Sequence, residues 1–177
     1  PDGVNRLNGP PNPMHTKFFS EKTAVILGLG ELRVGTCPMG TIGLGSCIAL
    51  ILHDQRQSLG GLAHIMLPES RGNVDRPGKF ADTAIHTLLQ EMEGCGSTTS
   101  AITANVVGGA SMFEYSADSL NIGGRNIVAV KDLLGDLGVR IVYEETGGRI
   151  GRSVYYWPGK KGRLVVKRAD GTCVEFS

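Results

Sequence analysis

The chain has 177 residues, 41% of them hydrophobic, and carries 18 basic against 17 acidic side chains, a formal net charge of +1. That length suits one domain with its own core, and the balanced charge excludes the broad basic surface that binds nucleic acid or an anionic membrane. No apolar run is long enough to span a bilayer, no signal-peptide pattern opens the chain, and Cys37, Cys47, Cys95 and Cys173 lack metal-site spacing. A cytoplasmic protein with free thiols and no metal is expected.

In chain order, residues 1–20 begin with a stretch rich in proline, glycine and asparagine that buries too little apolar surface to order itself, and read as a tail. Residues 21–177 read as a single domain. Strands are expected over 23–27 and 31–34, around Gly28-Leu29-Gly30. The run Thr41-Ile42-Gly43-Leu44-Gly45-Ser46-Cys47-Ile48-Ala49-Leu50 is strand-like, as is Gly60-Gly61-Leu62-Ala63-His64-Ile65-Met66-Leu67-Pro68. Residues 37–40 read as linker. Neither glycine pair makes a dinucleotide fingerprint: the first lacks an acidic residue about 20 positions on, and the second leads into a β-rich run. No organic cofactor is expected.

Phe80, Ala84, Leu88 and Met92, joined by Ala81, Ile85 and Leu89, form an apolar stripe at helical spacing that ends at Gly94 and Gly96, with His86 on the polar side. A second helix starts at a capping Asn121, runs through Ile127, Val130, Leu133, Leu134 and Leu137, and stops at Gly138. Further strands are expected over 101–107, 139–143, 153–157 and 163–167. The fold class is therefore α/β or α+β, a layered sandwich in which two main helices cover a mostly antiparallel sheet.

Chemistry concentrates at Cys47 and His64. The segment between their runs, Asp54-Gln55-Arg56-Gln57-Ser58, is polar and short enough for a hairpin, which makes the runs antiparallel neighbours. A loop with an even residue count puts Cys47 opposite His64 or diagonal to it on one face; a slip of one residue turns them apart. Paired, they make a thiol nucleophile and its base, with the imidazole drawing the thiol pKa down and backbone N–H groups near Gly43 and Gly45 holding an oxyanion. A buried cysteine and a satisfied core histidine fit the same spacing. His53 at a strand end is an alternative imidazole. Gly108-Gly109 lines a cleft or makes a tight turn, and Arg125, Asn126, Arg149 and Arg152 are candidates to meet an acidic partner surface.

Beyond this spacing, the chain resembles the CheD family of chemoreceptor glutamine deamidases. The matching stretches run from Thr41-Ile42-Gly43-Leu44-Gly45-Ser46-Cys47 and Gly61-Leu62-Ala63-His64-Ile65-Met66-Leu67-Pro68 to Gly78-Lys79-Phe80-Ala81-Asp82-Thr83-Ala84. They continue through Gly108-Gly109-Ala110-Ser111-Met112-Phe113, Asn121-Ile122-Gly123-Gly124-Arg125-Asn126, and Thr146-Gly147-Gly148-Arg149 with Arg152, spanning about residues 24 to 168. The resemblance implies Cys47 and His64 as catalytic residues, and Thr41 as the third. It also implies deamidation of receptor glutamines through a thioester, without metal or cofactor, with methyl-accepting chemotaxis receptors as substrate and a CheC-type phosphatase as partner. An adaptor that acts mainly by binding receptor or phosphatase is the alternative, and a protease or transglutaminase-like enzyme uses the same dyad.

Overall fold

Every residue of the strand Ile48–Asp54 is buried, because each of its two faces is covered by a different layer. The structure, a computed structural model, describes residues 23–73, 75–111 and 121–177. The tail expected over 1–20 and the motif residues Met112 and Phe113 lie outside them. In chain order the elements are β1 (Val25–Ile26), β2 (Leu32–Gly35), β3 (Met39–Leu44), β4 (Ile48–Asp54), β5 (Leu59–Ile65), α1 (Ala81–Gly94), β6 (Ile102–Gly108), α2 (Ile122–Asp136), β7 (Arg140–Thr146), β8 (Arg152–Trp157), β9 (Arg163–Arg168) and β10 (Cys173–Phe176).

The strands form two sheets of five, a central one in the order β2-β5-β4-β6-β7 and an outer one in the order β1-β3-β8-β9-β10. Pairing is antiparallel except at β1/β3 and β6/β7. Side chains alternate along β4 as strand geometry requires. Ile48, Leu50 and Leu52 pack with Ala84, Ile85, Leu88 and Met92 of α1 and Val130 and Leu134 of α2. Ala49 and Ile51, with Leu62 and Val107 of the same sheet, face Val154, Tyr156, Leu164 and Val166 of the outer sheet. The α+β layered class is as the sequence indicates, and both helices fall where their stripes place them. The chain adds a second sheet on the face the helices leave open.

Two apolar layers back to back explain the apolar run of β4, which has no solvated face to make polar. The sheets pack closely where Gly60 lets the buried Tyr156 ring lie on its backbone; a Cβ there would overlap the ring. The Tyr156 hydroxyl meets His53 Nδ1 at 2.6 Å. Gly60→Ala is therefore expected to cost about 1–3 kcal/mol from overpacking. Gly35→Ala, where an added Cβ meets nothing within 4 Å, should stay within about 0.5 kcal/mol, and urea-melt midpoints of the two variants would separate the cases.

Candidate active site

The hairpin that sets the site is fixed at its turn. Asp54 Oδ1 accepts from the N–H groups of Arg56 at 2.9 Å and Gln57 at 3.3 Å, which folds the chain back so that Asp54 pairs with Leu59 across a loop of residues 55–58. The loop is even, and the register brings Ala49 opposite His64. Cys47, two residues before Ala49, thus shares the face of His64 and packs against the core between the sheets.

The run 41–50 is not one strand. It breaks at the corner 45–47, leaving Thr41 on β3 in the outer sheet and Ile48 at the start of β4 in the central sheet. Gly43, at φ 72°, sits in a register shift between Thr41 and Leu44 that bends the strand toward this corner. Residues 39 and 40, read as linker, belong to β3. The corner is what carries Thr41 over to His64, whose own strand lies in the opposite layer.

Thr41 and His64 are both buried, and Thr41 Oγ1 lies 2.6 Å from His64 Nδ1. The same hydroxyl donates to the Leu27 carbonyl at 2.8 Å. A hydroxyl has one proton, and a carbonyl can only accept. His64 Nδ1 must therefore carry hydrogen and donate to Thr41, which leaves the lone pair on Nε2. Nε2 is buried and has no hydrogen-bond partner among the described residues. The His64 backbone is fixed from both directions, donating to Glu31 O at 2.9 Å and accepting from Gly30 N at 3.0 Å.

All three carbonyls of the corner are tied back. Gly45 O accepts from Ala110 N and Cys47 O from Gly109 N, each at 2.8 Å, and Ser46 O accepts from Asn126 Nδ2 at 2.9 Å. The N–H groups of Ser46 and Cys47 have no acceptor among the described residues. Such a corner presents donors on one side. It forms because Gly108, at φ 119°, lets its backbone touch the Cys47 carbonyl where any Cβ would collide, and Gly123 does the same against Gly109 O. Gly108 and Gly109, both at positive φ, pack their backbone tightly around this corner.

Burial sets the charge state of the pair. It pushes the Cys47 thiol above its ordinary 9.0 and His64 below its ordinary 6.5. Both are neutral at rest. This reverses the expected lowering of the thiol, because withdrawal from water disfavours thiolate and imidazolium alike.

Three further expectations change. His53 stands at the far end of β4, six residues and about 20 Å from Cys47, bonded to Tyr156. Asn126 is fully buried instead of facing a partner, donating from Nδ2 to Ser46 O and Met66 O, each at 2.9 Å. Arg152 is buried too: its Nε bonds Glu145 at 2.8 Å and its Nη1 bonds Gly147 O at 2.9 Å. Arg168 and Tyr143 complete this cluster on Glu145. Burial raises the Glu145 carboxyl, but the hydrogen bonds from Arg168, Arg152 and Tyr143 outweigh it and hold the group below its usual range. The cluster steadies the loop whose Gly147 N–H donates to Gly108 O at 2.8 Å. Of the four polar candidates, Arg125 is exposed on α2 and Arg149 is exposed in this loop.

Sequence reasoning passed over Leu27, whose carbonyl takes the Thr41 hydroxyl proton, and the inward direction of Asn126. For Asn126 a signal existed: it lies four and eight residues before Val130 and Leu134, on the stripe α2 buries. For Leu27 there was none, since any residue supplies a carbonyl.

The family model for CheD chemotactic sensory transduction matches residues 66–168. The chain is 43% identical over 148 residues to the chemoreceptor glutamine deamidase CheD of Thermotoga maritima, covering 82% of this chain and 92% of that protein. It is 43% identical over 149 residues to a probable chemoreceptor glutamine deamidase CheD of Archaeoglobus fulgidus, covering 83% and 94%. A probable CheD of Clostridium novyi is 45% identical over 141 residues, covering 76% and 87%. With the family model matching more than half of the sequence and such relatives covered almost end to end, the chain belongs to the CheD family.

Proposed function

We propose that this chain deamidates glutamine side chains of chemotaxis receptors, with Cys47 as nucleophile, His64 as general base and acid, and Thr41 as the residue that orients His64. One observation carries the reading: Thr41 spends its only proton on Leu27 O, so His64 keeps hydrogen on Nδ1 and presents a bare Nε2 in the layer that Cys47 shares. The names of the relatives support the substrate.

Because thiol and imidazole are neutral at rest, proton transfer accompanies attack. The Cys47 proton passes to His64 Nε2 as Sγ bonds to the amide carbon. The oxygen, now negative, is met by the unoccupied N–H groups of Cys47 and Ser46. His64 then gives its proton to the amide nitrogen, ammonia leaves, and a thioester remains. Water attacks the thioester with Nε2 as base, and as the tetrahedral species collapses His64 returns that proton to the departing sulfur, which regenerates the neutral pair, while the carboxylic acid formed ionises to glutamate. Each turnover puts a negative charge where a neutral amide stood, which alters packing along a receptor coiled coil.

The cytoplasm is the proposed site of action, and a CheC-type phosphatase the proposed partner. Among the described residues no helix is long and apolar enough to cross a membrane, in keeping with a substrate reached from outside the bilayer.

Incubation with a receptor cytoplasmic fragment should add about one dalton at each modified glutamine as –NH₂ becomes –OH. Cys47→Ala should abolish the gain, His64→Ala should lower turnover about 10²–10⁴-fold, and Thr41→Val should lower it with little change in KM. Full activity in Cys47→Ala would refute the nucleophile, and Cys47 adducts without any mass gain would favour an adaptor.

The neutral resting pair also predicts a pH profile. kcat/KM should stay flat through neutrality and fall on the acid side only below 6.5, where His64 finally takes a proton. Without substrate, iodoacetamide should alkylate Cys47 slowly at neutral pH and faster as pH passes 9.0. Fast alkylation already complete in mild acid would mean a preformed thiolate–imidazolium pair.

A further inference from the structure

We propose that Asn126 is a positioning residue for the deamidation: its amide replaces the backbone rung at Ser46 that would otherwise fix the corner carrying Cys47 against the His64 strand. The proposal rests on the reading of Cys47 and His64 as the reacting pair.

The ladder between β4 and β5 pairs Ala49 with His64 and Ile48 with Ile65. His64 gives its N–H to Glu31 O and its C=O to Gly30 N, so hydrogen-bonded rungs between β4 and β5 fall on the alternate pairs, at Ile48–Ile65 and next at Ser46–Leu67, and that last rung is missing. Leu67 N donates to Lys79 O at 3.1 Å and Leu67 O accepts from Ala81 N at 2.9 Å, so the two strand ends part beside the proposed reacting pair. Across this gap Asn126 Nδ2 reaches both sides, 2.9 Å to Ser46 O and 2.9 Å to Met66 O. Both acceptors are carbonyls, which fixes the amide with its –NH₂ toward them and one hydrogen for each.

The anchor behind this bridge is rigid. Asn126 lies in α2, whose first turn is capped by Asn121 Oδ1 on Gly124 N at 2.9 Å and pressed against Gly109 O at Gly123. The cost of the arrangement shows what it is for. Asn126 is fully buried and its Oδ1 has no partner among the described residues. An orphaned buried acceptor is destabilising, so an apolar residue would serve α2 better if filling space were the only task. What an apolar residue lacks is the pair of donors.

Asn126 touches neither Sγ nor the imidazole in any recorded hydrogen bond; its effect passes through the backbone on either side. Loss of the bridge should let Cys47 drift relative to Nε2, and small displacements of reacting groups weigh heavily on rate.

The test uses the full chain, receptor cytoplasmic fragment as substrate, and Asn126→Ala beside Cys47→Ala, all assayed below their melting transitions. Asn126→Ala should lower kcat by about 10²-fold with KM unchanged, and its acid limb should move up toward the ordinary imidazole value as water reaches His64. Asn126→Asp, which keeps the shape but turns a carboxylate oxygen on both carbonyls, should lose at least as much. Wild-type kcat and pH profile in Asn126→Ala, whatever its melting temperature, would overturn the proposal. If that variant does not fold, Asn126→Gln, with its amide one methylene out of place, decides by the same two readouts. Activity in Cys47→Ala would refute the underlying assignment of the nucleophile, whereas an inactive Cys47→Ala beside a fully active Asn126→Ala would refute the positioning role alone.

Discussion

The Thr41 hydroxyl stands between a carbonyl that can only accept and an imidazole that can do either, and the direction of its single proton determines what His64 can do. Such a bond adds only about 1 kcal/mol net to stability. It cannot be what joins the two sheets. The apolar layer between them, from Leu27, Met39 and Leu44 on one side to Ile51, Leu62 and Val107 on the other, does that. With the layers fixed by packing, the small bond is free to select one tautomer of one ring.

Backbone proximity is the second constraint. The corner at 45–47 has its carbonyls drawn off by the 108–110 loop and by α2, and those neighbours come close enough only because Gly108 and Gly123 lack side chains. The 147–148 loop is stitched to the same place through Gly108 O and Ser111 N. Charge buttresses it from beneath: Glu145 takes bonds from Arg152, Arg168 and Tyr143, and Arg152 spans from that carboxylate to Gly147 O. Gly45, Gly108, Gly109, Gly123 and Gly147, far apart in the sequence, thus meet around the corner that carries Cys47.

Much of this was legible in the sequence wherever the signal was periodic or local. The apolar stripes of both helices, the Asn121 cap and the even hairpin loop each follow from spacing, and the loop alone fixes Cys47 and His64 on one face. What spacing could not give was the corner at 45–47, since Thr41 to Leu50 is apolar or small throughout and nothing in such a run marks where one sheet ends and the other begins. The charge state of the thiol also escaped, because proximity to an imidazole can be read from register while burial depends on the second sheet. Arg152 looks like a surface group in isolation, and so does Asn126 unless its place on the buried stripe of α2 is weighed. They turn inward because the backbone oxygens they serve come from segments distant in the chain.

The orienting threonine lives on β3, and β3 is seated antiparallel against β8, residues Arg152–Trp157. The hairpin of β4 and β5 is local and can close early, but the strand that brings Thr41 to His64 must wait for a neighbour more than a hundred residues further along. On a ribosome, Thr41 therefore gains its strand partner only once β8 has emerged and docked. In the mechanism proposed above, a half-made chain thus holds a cysteine and an imidazole whose orienting contact has yet to form.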